Sequence, residues 1–224
     1  MSSQPIRVVV VDDSALIRSL LSEIINRQPD MTCVGAAHDP LIAREMILTQ
    51  LPADSPAILI TQHMPVGFTS SFANRLNQTC KITVKEAVHG ERILPGHAYI
   101  APGGQQFSIS RSGSNYLAVV EDAEPVNRHK PSVEVLFRSC AAHVGPNAIG
   151  IMLTGMGADG AKAMREMKDA GSYNYVQDEA SCVVFGMPRE AIAHGAADEV
   201  LPLTSIAPAL LDRLRSLGTH RYRV

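Results

Sequence analysis

The chain has 224 residues, 46% of them hydrophobic, 19% charged and 4% aromatic, with no Trp. That apolar share supports a packed core and excludes a mostly disordered protein. Lys and Arg number 20 against 22 Asp and Glu, so the basic excess of a general nucleic-acid or anionic-membrane binder is missing. No apolar run approaches the ~20 residues that span a bilayer, and the opening MSSQPIR leads into no signal-peptide apolar region. The four cysteines make no CxxC pair and no dense disulfide framework, a pattern of buried thiols in a reducing cytoplasm. One large domain or two small ones fit this length.

Arg7-Val-Val-Val-Val11 is a continuous β-branched run that stops at Asp12-Asp13. It predicts a strand buried on both faces of a parallel sheet. Leu16, Ile17, Leu20, Leu21, Ile24 and Ile25 then form one helical stripe, with Asp12, Asp13 or Ser14 as its cap. Thr32–Gly35 reads as a second strand, and Pro40 opens a helix to about Gln50. A turn at Pro52–Pro56 leads to a strand at Ala57–Thr61. This β-α-β-α-β alternation predicts an α/β fold with a doubly wound, mostly parallel sheet and right-handed crossovers.

From Val84 to Val120 the rhythm changes. Pro95-Gly96, Pro102-Gly103-Gly104 and Ser112-Gly113 separate short segments such as Ala98–Ala101 and Tyr116–Val120. These predict inserted β-hairpins. The α/β rhythm resumes with a helix from Pro131-Ser132, a strand at Ala148–Leu153, a helix at Asp159–Ala170 and a strand at Tyr173–Val176. Helices at Pro188–His194 and Ser205–Leu217 complete the pattern.

Gly155-Met-Gly157-Ala-Asp-Gly160 follows a predicted strand, opens a helix, and has Asp178-Glu179 about 20 residues on, as in a dinucleotide fingerprint. Against that reading, Asp159 would place a negative charge where a pyrophosphate must sit. The same loop can serve acyl transfer, with Asp159 orienting a histidine; a plain helix cap is the alternative. His63, in Ile60-Thr-Gln-His63-Met-Pro65, follows a buried strand at the carboxyl edge where open α/β sheets bind ligands, though a structural histidine fits there too. His89 and His97, or Cys33 and His38, make no metal pattern. Asn127-Arg-His-Lys-Pro131 is a compact polar cluster that can bind an acidic or amide substrate, or form a solvated turn. Asp12-Asp13 would need a third carboxylate to hold Mg²⁺, and none stands in a suitable setting.

Taken together, these segments resemble the bacterial chemotaxis protein-glutamate methylesterase/glutaminase family (CheB). Arg7–Arg18, through about Ile47, is similar to the front of that family's phospho-receiver domain. The rest is similar to its catalytic domain, through Leu59–Pro65, Pro95–Gly103, Val126–Ser132, Leu153–Gly160 and Ala180–Pro188. The resemblance divides the chain into a partial receiver segment at 1–47, a methylesterase-type domain at 48–217 and a tail at 218–224. It implies a Ser-His-Asp triad that hydrolyses glutamate methyl esters, and deamidates glutamines, on the cytoplasmic domains of methylated chemoreceptors. His63 matches the general base and Asp159 its orienting carboxylate. Met156 sits in the loop that lines the site, and Gly155 and Arg128 are further candidates for binding substrate.

The resemblance also implies a longer chain. The receiver strand bearing the phosphorylatable aspartate has no counterpart, so Asp12 and Asp13 match receiver metal acids without a phosphorylation site. The start of the catalytic domain is also absent, and neither GASTGG nor GxSxG occurs. Counted back from Leu51-Pro52, Val34–Leu51 superposes without a gap on the family's lost strand–turn–helix unit. Ala37 then falls at the nucleophile and His38 at the following Thr. The expectation is an impaired cytoplasmic methylesterase, a monomer with no cofactor, nucleic-acid partner or membrane insertion. A non-catalytic receptor binder and a dinucleotide enzyme are the alternatives. Should the chain turn over, some other serine, such as Ser70 or Ser181, would have to be the nucleophile.

Overall fold

The computed structural model describes residues 6–11, 23–24, 26–28, 31–37 and 40–217. The chain divides into two compact units, Met1–Arg44 and Glu45–Val224. In the first, β1 (Ile6–Val11) and β2 (Met31–Ala37) pair in parallel, from Ile6↔Met31 to Val11↔Ala37, with a register shift between Val8 and Val9. Parallel pairing suits the β-branched run that forms β1. Helix α1 (Pro40–Leu48) spans the division, with Pro40 at its start as expected. Asp12, Asp13, most of the stripe at 16–25, His38 and the 218–224 tail lie outside the described residues.

The second unit opens with β3 (Ile58–Ile60), α2 (Phe68–Thr79), β4 (Thr83–Glu86) and β5 (His97–Ile100). These strands form a parallel sheet in the order β3-β5-β4. β6 (Gln106–Ser112) and β7 (Asn115–Glu121) follow as an antiparallel hairpin around Gly113. Then come α3 (Val133–His143), β8 (Ile149–Met152), α4 (Ala161–Asp169), β9 (Tyr173–Gln177), α5 (Met187–Ala193), β10 (Glu199–Leu201) and α6 (Leu203–Ser216). Their strands form a second parallel sheet in the order β10-β9-β8.

Two expectations are corrected and one helix is new. Ala98–Ala101 belongs to no hairpin: it carries β5, the middle strand of the first parallel sheet. Ala98, Tyr99 and Ile100 are almost wholly buried, as a strand paired on both edges and packed on both faces requires. The Val84 segment is likewise a parallel strand, and only β6–β7 is a hairpin. Helix α2 was not foreseen, although Thr69, Phe72, Ala73 and Leu76 are buried at helical spacing. Two of those four side chains are Thr and Ala, so the apolar signal is faint.

Phe107, Ile109 and Ala118 of the hairpin pack with Tyr99 of β5 and Leu136 of α3 in one core cluster. Met152, Met164, Val176 and Met187 join Val133 in another. The packing fixes the carboxyl ends of β3 and β8, and the chain leaving each end carries His63 and Asp159. Among the described residues no helix is long and apolar enough to cross a membrane.

Candidate active site

Asp159 is 2% exposed. Oδ2 accepts from the Val133 N–H at 2.7 Å and Oδ1 accepts from the Ser132 hydroxyl at 2.7 Å and from Asn127 Nδ2 at 2.9 Å. The Glu134 N–H lies at 3.4 Å from Oδ1. The helix cap foreseen for Asp159 therefore exists, but on α3 rather than on its own helix. The N-terminus of α4 is served in exchange by Glu134 of α3, whose Oε2 accepts from the Gly160 N–H at 3.1 Å and from the Ala163 N–H at 3.4 Å. Burial alone would raise the Asp159 pKa; the donors from His63, Asn127, Ser132 and Val133 outweigh it and lower it to about 2. The carboxylate is thus ionised at neutral pH.

His63 Nε2 lies 2.8 Å from Asp159 Oδ2. An ionised carboxylate only accepts, so Nε2 carries the hydrogen of this bond; in the neutral imidazole Nδ1 then has the free lone pair. The imidazole is held on its face as well. The His129 ring stacks on it with centroids 3.7 Å apart and planes 9° from parallel. Burial, and then the neighbouring His63, push the His129 pKa down, so the stacking partner is kept neutral.

His129 and Asn127 come from a single tight turn. The Val126 N–H donates to the His129 carbonyl at 3.1 Å and the His129 N–H to the Val126 carbonyl at 2.9 Å. The two residues between have positive φ, 53° at Asn127 and 67° at Arg128. That is the two-residue loop of primed hairpin turns, which ordinarily holds Asn-Gly. Arg at the second position carries a Cβ in the left-handed region, at a cost of about 1 kcal/mol. Gln106, buried beneath, donates to the His129 carbonyl at 3.1 Å and accepts from the Ser132 N–H at 2.9 Å.

The foreseen pair, His63 and Asp159, is thus brought together across 96 residues of sequence. Met156 is 80% exposed in the loop before Asp159. Val66 in the loop after His63 and Phe68 at the start of α2 are exposed, at 74% and 63%. Gly155 donates its N–H to Val184, and its carbonyl accepts from Gly186 and Met187. A Cβ on Gly155 would stand 2.4 Å from Met187 Sδ, which explains that glycine by packing. Gly160, with φ 85°, would place a Cβ 2.4 Å from Val133 Cγ1. Glu134 already holds the Gly160 and Ala163 N–H groups at the start of α4, where the dinucleotide reading would seat a pyrophosphate. Asp178 accepts from the Ser181 N–H and hydroxyl, which ties up the Ser181 Oγ. The Ser70 hydroxyl reaches only the Gly67 carbonyl, at 3.4 Å. Among the described residues, no group of three or more His, Cys, Asp or Glu could hold a metal ion.

The contacts of Asn127 and Ser132 with Asp159 and of His129 with His63 were not legible in the sequence. The polar run from Asn127 to Lys130 was visible, but nothing local says that its turn folds over a dyad.

The CheB methylesterase family model matches residues 32–210. The protein-glutamate methylesterase/protein-glutamine glutaminase 1 of Albidiferax ferrireducens is 48% identical over 360 aligned positions, covering 98% of this chain and 96% of the relative. That alignment is much longer than the 224 residues here, so the relative carries long internal stretches without a counterpart. Protein-glutamate methylesterase/protein-glutamine glutaminase 3 of Burkholderia lata is 53% identical over 221 residues, and this chain spans 61% of its length. Among solved structures, the Thermotoga maritima CheB methylesterase catalytic domain superposes with a TM-score of 0.75 at 31% identity, over 95% of this chain and all of that domain.

Proposed function

The chain belongs to the CheB methylesterase family, and from that premise we propose that its site is built for hydrolysis of glutamate methyl esters and deamidation of glutamines on chemoreceptors, with His63 as the base and Asp159 as its orienter. The observation that carries this reading is the 2.8 Å contact between His63 Nε2 and Asp159 Oδ2, with the carboxylate fixed by α3 donors. Such a pair takes a proton from a nucleophile onto Nδ1 as the nucleophile adds to the ester carbonyl, and the Asp159 charge stabilises the imidazolium. The tetrahedral intermediate collapses as the methoxy group leaves with that proton as methanol. In the serine-dependent reaction an acyl-enzyme remains, and water, deprotonated by the same His63, releases the glutamate. Ammonia takes the place of methanol for glutamine. Met156 and Arg128 face substrate in this reading.

The weak member is the nucleophile. Ala37 ends β2 and aligns with the family's serine when Val34–Leu51 is superposed on the missing unit. The family match starts at residue 32, ahead of β2's last residues, which supports that superposition. Losing the serine of a comparable triad costs about 10⁶ in kcat. We therefore assign negligible turnover to the chain as it stands. The partial receiver segment at 1–47 is a remnant in this reading, without its acceptor aspartate, so a small phosphodonor with Mg²⁺ leaves no aspartyl phosphate on it.

Methanol release from methylated receptor membranes at neutral pH tests the assignment. Wild type is expected at background. Ala37→Ser should restore at most a trace, because Asp39 and Pro40 stand where the family has glycines. Adding His63→Ala should abolish that trace. Substantial turnover by the unmodified chain would sink the assignment of Ala37.

A further inference from the structure

Arg128 is exposed at the tip of the site's turn. Asn127 on one side donates to Asp159, and His129 on the other stacks on His63. The position has φ 67°, where a glycine would sit without strain. It is occupied instead by a long cationic side chain that makes no ion pair among the described residues. The next cation, Lys130, is already paired with Asp122. A guanidinium without an ion pair among the described residues, at a backbone position that disfavours it and between two residues that contact Asp159 and His63, is placed to meet something that approaches the site. Its fork of N–H donors fits a carboxylate. Deeper in the site the Asp159 charge is already satisfied by other donors, so Arg128 is not needed there.

We propose that Arg128 is a specificity residue which binds a carboxylate flanking the reacting glutamyl group, so that the site selects acyl groups carried on an acidic peptide. This rests on the functional reading above and deepens it. The ester carbonyl is addressed by His63, while Arg128 reads the neighbouring residue and takes no part in proton transfer. Such an exposed pair weakens as salt screens it.

Two synthetic peptides test this by calorimetric titration against the full chain. Each carries one glutamyl γ-methyl ester; one is flanked by glutamates and the other by glutamines. Wild type is expected to prefer the glutamate-flanked peptide by about three- to fivefold at low salt, with the preference fading as salt rises. Arg128→Gly should bind both peptides equally and melt about 2 °C higher, because the left-handed position is relieved. Arg128→Lys should keep part of the preference and none of the added stability. An undiminished preference in Arg128→Gly, or binding of both peptides by wild type without preference, would overturn this proposal alone. Failure of wild type to bind either peptide would overturn it together with the functional reading.

Discussion

The two members of the dyad are held in opposite ways. Asp159, which follows β8, is buried and accepts hydrogen bonds from a side-chain amide, a hydroxyl, a backbone N–H and the imidazole. His63, which follows β3, keeps a quarter of its side chain exposed, with one hydrogen bond to Asp159 and one stacking partner. The carboxylate is part of the scaffold; the imidazole rests on it. A base must exchange its proton and meet substrate, so it needs an open nitrogen and a fixed plane. Its orienter must stay charged and still, which takes donors and burial.

Substitution separates the two most sharply. Asp159→Ala leaves the Ser132 hydroxyl and the Val133 N–H buried without their acceptor. It should cost about 3 kcal/mol of folding stability, and more than His63→Ala by at least about 2 kcal/mol. Urea denaturation of both variants measures the difference, and equal losses would mean that Asp159 is not the scaffold half.

Acid should reproduce part of that loss in the unmodified chain. Asp159 has a folded-state pKa near 2, below its ordinary 3.8, so protonation favours the unfolded chain. The pair's stabilisation is present above about pH 4 and drains away as the pH falls towards 2, by about 2 kcal/mol in all. Denaturation midpoints taken through that window should slope for wild type and flatten for Asp159→Asn.

The smallest effect belongs to the face of the imidazole. His129 is held neutral, with its pKa below the usual 6.5. Below that value the unfolded chain takes up the proton first, so His129 subtracts stability as the pH drops from about 6.5. His129→Phe keeps a flat ring against His63 and has no proton to gain. It should change stability at pH 8 by less than about 1 kcal/mol and remove that part of the acid slope. A variant that retained the whole slope would assign it to other groups.

Much of the scaffold was legible because its signals are local. The β-branched run of β1, Pro40 at the start of α1, and the apolar segments of β8 and β9 each specify an element through their own spacing. His63 and Asp159 were legible as chemistry at strand ends. The Pro-Gly pairs around β5 were read correctly as chain reversals and wrongly as hairpin turns. A turn residue reports that the chain bends, and says nothing of which strand the next segment pairs with. Helix α2 escaped because its buried stripe relies on Thr69 and Ala73, which carry little hydrophobic weight.

By itself, then, the sequence determined the α/β alternation, the two loops that hold His63 and Asp159, and the lack of a GASTGG or GxSxG stretch; each is written in consecutive residues. Tertiary structure alone decided what those loops meet. The exchange of caps between Asp159 and Glu134, the stacking of His129 on His63, and the anchoring of the Asn127-Arg128 turn over the dyad join segments far apart in the chain. The same Asp could have capped its own helix, and the same turn could have stood in water. The packing of α3 against α4 aims the start of each helix at a carboxylate carried by the other segment, and that packing is a property of the assembled core.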